Sequence, residues 1–183
     1  MTALHTPNVD QPIPLDQPLP HRKTLREWLI PLSGRSTVRA FVLLVLDYAL
    51  FFALITGTIA LDSVWLKVLC ALAAGFVIGR LFIIGHDACH QSLTPRRELN
   101  KVLGRIAFLP SLTPYSLWDT GHNVVHHGYT NLKGVDFVWT PLTAAEFEAL
   151  SPMQKLLERA YRSGWAPGLY YMIEIWWTRE FFP

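Results

Sequence analysis

The chain has 183 residues, of which 51% are hydrophobic and 16% are charged. Globular proteins carry about 25% charged residues, so this composition argues against an ordinary soluble domain. The formal net charge is only +2, which excludes the strongly basic character of nucleic-acid-binding proteins. The two cysteines, Cys70 and Cys89, are too few for a disulfide framework.

The first 38 residues are predicted to form a disordered or amphipathic cytoplasmic tail. Residues 1–20 are rich in proline and show no periodic apolar face. A helical repeat of apolar residues follows, carried by Leu25, Trp28, Leu29 and Leu32. This repeat predicts a short amphipathic helix on a membrane surface, with packing against the rest of the chain as the alternative.

Two apolar runs come next, at residues 40–61 and 64–85. As a helix, each run spans about 33 Å, close to the ~30 Å hydrocarbon core of a bilayer. We therefore predict a transmembrane hairpin with its turn at Asp62 and Ser63. Asp47, inside the first run, is either a functional intramembrane acid or a helix-packing residue.

The positive residues that flank the hairpin orient it in the membrane. They are Arg22, Lys23, Arg26, Arg35 and Arg39 before the hairpin, and Arg96, Arg97, Lys101 and Arg105 after it. Because basic flanks stay in the cytoplasm, both ends of the hairpin are predicted to be cytoplasmic. We therefore expect an integral, multi-pass membrane protein with its N-terminus and histidine clusters on the cytoplasmic side.

Five of the seven histidines fall in two clusters, and all five are predicted metal ligands. They are His86, His90, His122, His126 and His127. His86 and His90 are four residues apart and would share one helix face, and His122 and His126 repeat that spacing. His127 would project about 100° from His126, toward a second ion or the opposite side of the first.

The type of ligand favours non-haem iron, ideally two ions. Structural zinc sites usually include cysteine, whereas Cys89 would point away from the face of His86 and His90. Iron adds one-electron redox chemistry and oxygen activation. A haem ligated by two histidines is the alternative, although it does not account for the adjacent pair His126 and His127. At the end of an apolar hairpin, such a centre would oxidise an unactivated C–H bond of a hydrophobic molecule.

From about Arg39 onward the sequence resembles the membrane fatty acid desaturases, in particular bacterial acyl-lipid desaturases. The first box is His86-Asp-Ala-Cys-His90 and the second is His122-Asn-Val-Val-His126-His127. The wider family of di-iron oxygenases includes carotenoid hydroxylases and ketolases. The resemblance implies an all-α membrane fold, with residues 39–183 as an incomplete desaturase-like domain whose interfacial helices carry the boxes.

The resemblance also implies the chemistry and the partners. The five histidines would bind two non-haem iron ions, with molecular oxygen and a reduced ferredoxin-like or cytochrome-type donor as co-reactants. The product would be a double bond in a fatty acyl chain. Asp87 and Asn123 would orient imidazoles or lie on the helix surface. Three further residues would shape the site, although packing is the alternative for both tryptophans: Trp118, Asp136 and Trp139.

One departure from the family pattern changes the expected activity. The family has a third box of the HxxHH kind after a second membrane hairpin, whereas no histidine follows His127. We therefore expect an N-terminal half that binds iron weakly and lacks turnover. Three alternatives stay open: a lipid or carotenoid hydroxylase or ketolase, a haem-binding electron-transfer anchor, and a metal-free remnant in the membrane.

Overall fold

The computed structural model describes residues 20–138, 141–164 and 167–181. Every regular element within these ranges is a helix, and none of the described residues forms a strand. The predicted all-α fold is confirmed.

The predicted amphipathic helix forms as α1, Arg22–Leu29. His21 caps it, because its ring accepts a hydrogen bond from the Lys23 amide at 3.3 Å. A 3₁₀ turn, Ile30–Leu32, follows. None of the residues of α1 is fully buried, and Leu25 and Trp28 on its apolar face are partly buried.

The two apolar runs form a helical hairpin. Helix α2 is Thr37–Ala60 and helix α3 is Val64–Cys89. Both are long and apolar enough to cross a membrane. Helix α3 continues past the end of the apolar run at residue 85, so His86 lies in its last turn and His90 follows directly. The apolar run and the first histidine box are therefore parts of one rigid element.

A single ion pair joins the middle of the two long helices. Asp47 Oδ1 lies 2.8 Å from Arg80 Nη2, and the side chains are 2% and 55% exposed. Asp47 thus contacts the partner helix and does not reach the histidines through any hydrogen bond or ion pair that the described residues show. This contact supports the helix-packing interpretation of Asp47.

Helix α4, Arg97–Phe108, packs against the end of α3 that carries the histidines. Buried Asn100 holds the connection between them, since its side chain accepts from the Thr94 amide at 2.8 Å and donates to the Thr94 carbonyl at 3.1 Å. The apolar core lies between α2, α3 and α4. Its buried members are Ala40, Leu44, Val77, Leu81, Ile84, Leu103 and Ala107.

Two glycines allow close packing between helices: Gly85 lets α4 approach α3, and Gly104 lets the segment after α4 approach α4. A Cβ on Gly85 would lie 2.4 Å from the ring of Phe108, and one on Gly104 would lie 2.3 Å from the ring of Tyr115. Phe108 is fully buried. The aromatic rings therefore pack directly against helix backbone, which fixes α3 and α4 relative to the second histidine box.

The rest of the chain is built from short helices. After a 3₁₀ turn, Leu109–Ser111, come α5, Tyr115–Asp119, and a π-helical segment, Thr120–His126. The remaining elements are α6, Ala144–Ala149, α7, Pro152–Arg162, α8, Pro167–Tyr170, and a second π-helical segment, Tyr171–Phe181. Trp176 donates to the Ser111 carbonyl at 3.0 Å, which ties this last segment to the 3₁₀ turn before α5.

Candidate metal centre

The first histidine box has the geometry that its spacing predicts. His86 and His90 bring their Nε2 atoms within 3.1 Å of each other. The helix ends immediately afterwards, where Gln91 adopts a positive φ of 57°. The two imidazoles therefore stand together at the terminus of the long apolar helix.

The second box is not the α-helix that the sequence predicts. Residues 120–126 are π-helical, and the His127 amide donates to the His122 carbonyl at 3.0 Å. A π-helix pairs each residue with the fifth along the chain. Accordingly, His127 Nε2 lies 3.2 Å from His122 Nε2. The wider turn thus places His127, as well as His126, beside His122.

The two boxes meet through one contact between ring nitrogens. His90 Nε2 lies 3.2 Å from His122 Nε2, and His86, His90 and His122 all offer nitrogen atoms within 4.8 Å of one another. With His127, four imidazoles form a continuous row of Nε2 contacts. His126 lies beside the row, with its ring stacked on His122 at a centroid distance of 5.3 Å.

Hydrogen bonding alone does not account for this row. Each ring nitrogen carries either a proton or a lone pair, so four Nε2 atoms in line can form only two N–H···N bonds, yet there are three contacts. A cation bound between neighbouring rings would account for them. With metal–nitrogen bonds of about 2.1 Å, nitrogens bound to one ion at right angles lie about 3 Å apart. The donor set fits a transition metal that accepts imidazole, such as iron, zinc, copper or nickel.

The surroundings of the two central rings of the row, His90 and His122, favour their neutral form. Burial, followed by the neighbouring histidines, lowers the pKa of His122 to about 3. Burial and the nearby rings of His86 and His127 also lower the pKa of His90. A neutral imidazole keeps the lone pair that a metal ion needs. These two rings therefore keep a lone pair available for a metal ion at neutral pH.

Two carboxylates contact the outer nitrogens of the cluster. Asp87 Oδ1 lies 3.1 Å from His86 Nδ1, as the resemblance implied, and Asp136 contacts His126 Nδ1. Burial would raise the pKa of Asp136, but hydrogen bonds from His126 and from the amides of Asn131 and Val138 lower it below its usual range. Both carboxylates thus face imidazoles of the predicted ligand set.

Asn123 has a different role from the one the resemblance implied. Its amide donates to Asp119 Oδ1 at 2.6 Å and to the Cys89 carbonyl at 3.1 Å, and neither partner is an imidazole. Asn123 therefore links the second box to the end of α3. Sequence reasoning missed Asp119, although its position four residues before Asn123 is a spacing that brings side chains together on a helix.

An apolar cavity of about 350 Å³ lies against the cluster. It is lined by Trp118, Val125, Phe137 and the ring of His122, with Arg179 also at its wall. Trp118 stacks on His122 at a centroid distance of 4.8 Å, so it is both a packing residue and a wall of the site. Trp139 lies outside the described residues. An apolar ligand in this cavity would contact His122, the histidine that lines it.

Comparisons with known proteins agree with this site. A family model described as fatty acid desaturase matches residues 63–182, which include both histidine boxes. A fatty acid desaturase of Bacillus subtilis is 32% identical over 154 residues, covering 81% of this chain and 43% of the relative. No solved structure matches the chain significantly.

Two relatives from Synechocystis sp. match in the same way. An sn-1 oleoyl-lipid 12-desaturase is 32% identical over 108 residues, covering 59% of this chain and 28% of the relative. An sn-1 acyl-lipid omega-3 desaturase (ferredoxin) is 29% identical over 158 residues, covering 84% of this chain and 43% of the relative. The chain thus spans less than half the length of these relatives. Because the family match covers well over half of the chain, including both histidine boxes, the chain belongs to the fatty acid desaturase family.

Proposed function

We propose that this chain carries the larger part of the metal centre of an oxygen-dependent acyl desaturase. The row of four Nε2 atoms at the end of a long apolar helix carries the proposal. Removal of two hydrogens from adjacent carbons of the acyl chain would form the double bond. With two electrons and two protons from outside, one molecule of oxygen would be reduced to two of water.

The four histidines of the row would hold two iron ions together with His126, which lies beside the row. The members of the row are His86, His90, His122 and His127. Bound iron would supply the one-electron redox chemistry and oxygen activation that side chains lack. The apolar cavity beside His122 would place an acyl chain against the centre and exclude water. Trp118 would hold the His122 ring in place by stacking on it.

The spacing of the ring nitrogens supports non-haem iron over haem. Two imidazoles that bind one haem lie on opposite faces of its iron, so their nitrogens are about 4 Å apart, with the macrocycle between the rings. The three Nε2 separations here are 3.1, 3.2 and 3.2 Å. Such contacts leave no slot for a porphyrin.

The membrane position and the partners follow from the same placement. The hairpin would cross the membrane twice, with the histidines at its cytoplasmic end because the basic residues flank that end. The substrate would be a membrane lipid or another fatty acyl compound. A soluble reduced ferredoxin or a cytochrome-type protein would donate electrons from the cytoplasm. The Synechocystis relative that is named for ferredoxin supports the first type of donor.

Five imidazoles are too few for two iron ions with complete ligand sets. We therefore propose that the 183-residue chain alone binds iron weakly and has no turnover. Robust desaturation by the purified chain would contradict this part of the proposal.

Iron content tests the ligand assignment. The chain, purified in detergent and loaded with Fe²⁺, would be compared with the variants His90→Ala and His122→Ala. We expect each variant to retain less than a tenth of the iron, because each removes a ligand from the centre of the row. The variant His21→Ala, which changes an exposed histidine outside the site, is the control. Unchanged iron in both site variants would refute the proposed function.

Product analysis separates desaturation from its nearest alternative. In cells that express this chain as part of a complete desaturase, mass spectrometry of the lipids should show acyl chains that have lost two hydrogens. A gain of one oxygen atom would instead identify a hydroxylase, and a Soret absorption band in the purified protein would identify a haem protein.

A further inference from the structure

We propose that Asp136 is a positioning residue that fixes the orientation and the protonated nitrogen of His126. The inference rests on the proposed metal site for its effect on metal binding, but its structural basis is independent of any metal. Asp136 lies in the loop that follows the second histidine box, ten residues after His126.

The carboxylate of Asp136 is fully buried, and both of its oxygens take part in hydrogen bonds. Oδ1 accepts from His126 Nδ1 at 3.0 Å and from the Val138 amide at 3.0 Å. Oδ2 accepts from the same imidazole nitrogen at 3.1 Å and from the Asn131 amide at 2.9 Å. The side chain is 0% exposed. Each oxygen therefore contacts both His126 and a backbone amide of the loop.

This arrangement explains why the residue is a carboxylate. A buried carboxylate costs free energy unless hydrogen bonds compensate it. An asparagine would fold the same loop only by turning its NH₂ group toward one of the two backbone amides, where two donors would face each other. Asp136 can accept from Asn131, Val138 and His126 together because both of its oxygens are acceptors.

The contact decides which nitrogen of His126 is protonated. The ionised carboxylate of Asp136 can only accept hydrogen bonds, so His126 must carry its proton on Nδ1. Its lone pair is then on Nε2, the nitrogen that is left to bind a metal ion. A partner that orients a metal-binding imidazole in this way typically contributes about 10- to 100-fold to metal affinity.

Asp87 provides an internal comparison. It makes a similar contact with His86, at 3.1 Å, but its side chain is 49% exposed and it lies next to His86 in the chain. An exposed carboxylate shares its hydrogen-bonding capacity with water and restrains its partner less. Of the two carboxylates, Asp136 is the one that the fold holds rigidly against an imidazole.

The first test needs neither metal nor mutation. In the full metal-free chain, labelled with ¹⁵N-histidine and studied in detergent at pH 8, the nitrogen shifts of His126 report which ring nitrogen carries the proton. We expect the proton on Nδ1. A proton on Nε2 would overturn the proposal. If the proton is on Nδ1 and the chain nevertheless binds no metal, the positioning role stands and the proposed metal site fails.

The second test separates positioning from a role in loop structure alone. Co²⁺ is titrated into the full chain, and its visible absorption measures affinity. We expect Asp136→Asn to weaken binding by about 10-fold or more, whereas Asp62→Asn, an exposed control in the hairpin turn, leaves it unchanged. In a His126→Ala background, Asp136→Asn should change the affinity less than about twofold. An equal loss in both backgrounds would show that Asp136 acts without His126, which overturns the proposal.

Discussion

The two halves of α3 are both largely apolar but have very different surroundings. Toward its start, large side chains such as Trp65 and Phe76 are exposed and contact little of the described chain. Toward its end, Leu81, Ala88 and Cys89 are buried beneath α4 and α5. The first part of the helix thus exposes an apolar surface suited to lipid. Its last turns are closely packed and hold the imidazoles of the first box in place. Apolar composition by itself does not distinguish these two roles.

The largest effect should follow removal of a buried ring at the packed end. Phe108→Ala leaves a cavity between α3 and α4, where the ring packs against Gly85 and Trp118, and should lower the free energy of unfolding by about 4 kcal/mol. The control is Phe76→Ala, at an exposed position (79%) of the same hairpin. Denaturant titration in detergent measures both. Equal losses would remove the distinction between the two ends.

A smaller effect is expected where the two halves of α3 meet. Arg80→Ala would leave the buried carboxylate of Asp47 without its partner, which should cost about 3 kcal/mol of stability. Asp47→Ala leaves only a half-exposed guanidinium, which can turn toward solvent or headgroups, and should cost about 1 kcal/mol. The same denaturant titration gives the order of the two variants. A greater loss of stability for Asp47→Ala than for Arg80→Ala would show that an unpaired buried carboxylate is not the main cost of breaking this ion pair.

The smallest change is a single methyl group. At Gly85 an added Cβ would overlap the ring of Phe108, so Gly85→Ala should cost about 2 kcal/mol. At Gly75, on the same helix, an added Cβ meets nothing within 4 Å. Gly75→Ala should therefore be neutral or slightly stabilising, because alanine favours the helix. If both variants melt at the same temperature, the close approach at Gly85 carries no stability.

The helices and the first box could be predicted because they depend on local spacing. The apolar runs gave the hairpin, and the interval of four residues between His86 and His90 gave their shared face. The apolar run ends at residue 85, whereas α3 continues to Cys89. In the fold, His86, Asp87 and Cys89 continue the helix, since their side chains find partners at its terminus.

The second box could not be derived in the same way. An interval of four between His122 and His126 indicates an α-helix, and nothing in the pattern reveals the π-helical register, which depends on packing around the box. The contacts of Asp136 and Asn123 also depend on the folded chain, because they join residues ten and thirty-four positions apart. Spacing predicted which residues gather, but not which of them touch.

The wide turn at residues 120–126 has a consequence for the histidines of the second box. In that turn the fifth residue after His122 returns to its side, so two neighbouring histidines can face different ways, one toward the row and one toward a loop. An α-helical turn would instead place the fourth residue, His126, nearest to His122 along the helix face. In the π-helical coil His127 faces His122 within the row, while His126, its immediate neighbour, faces Asp136.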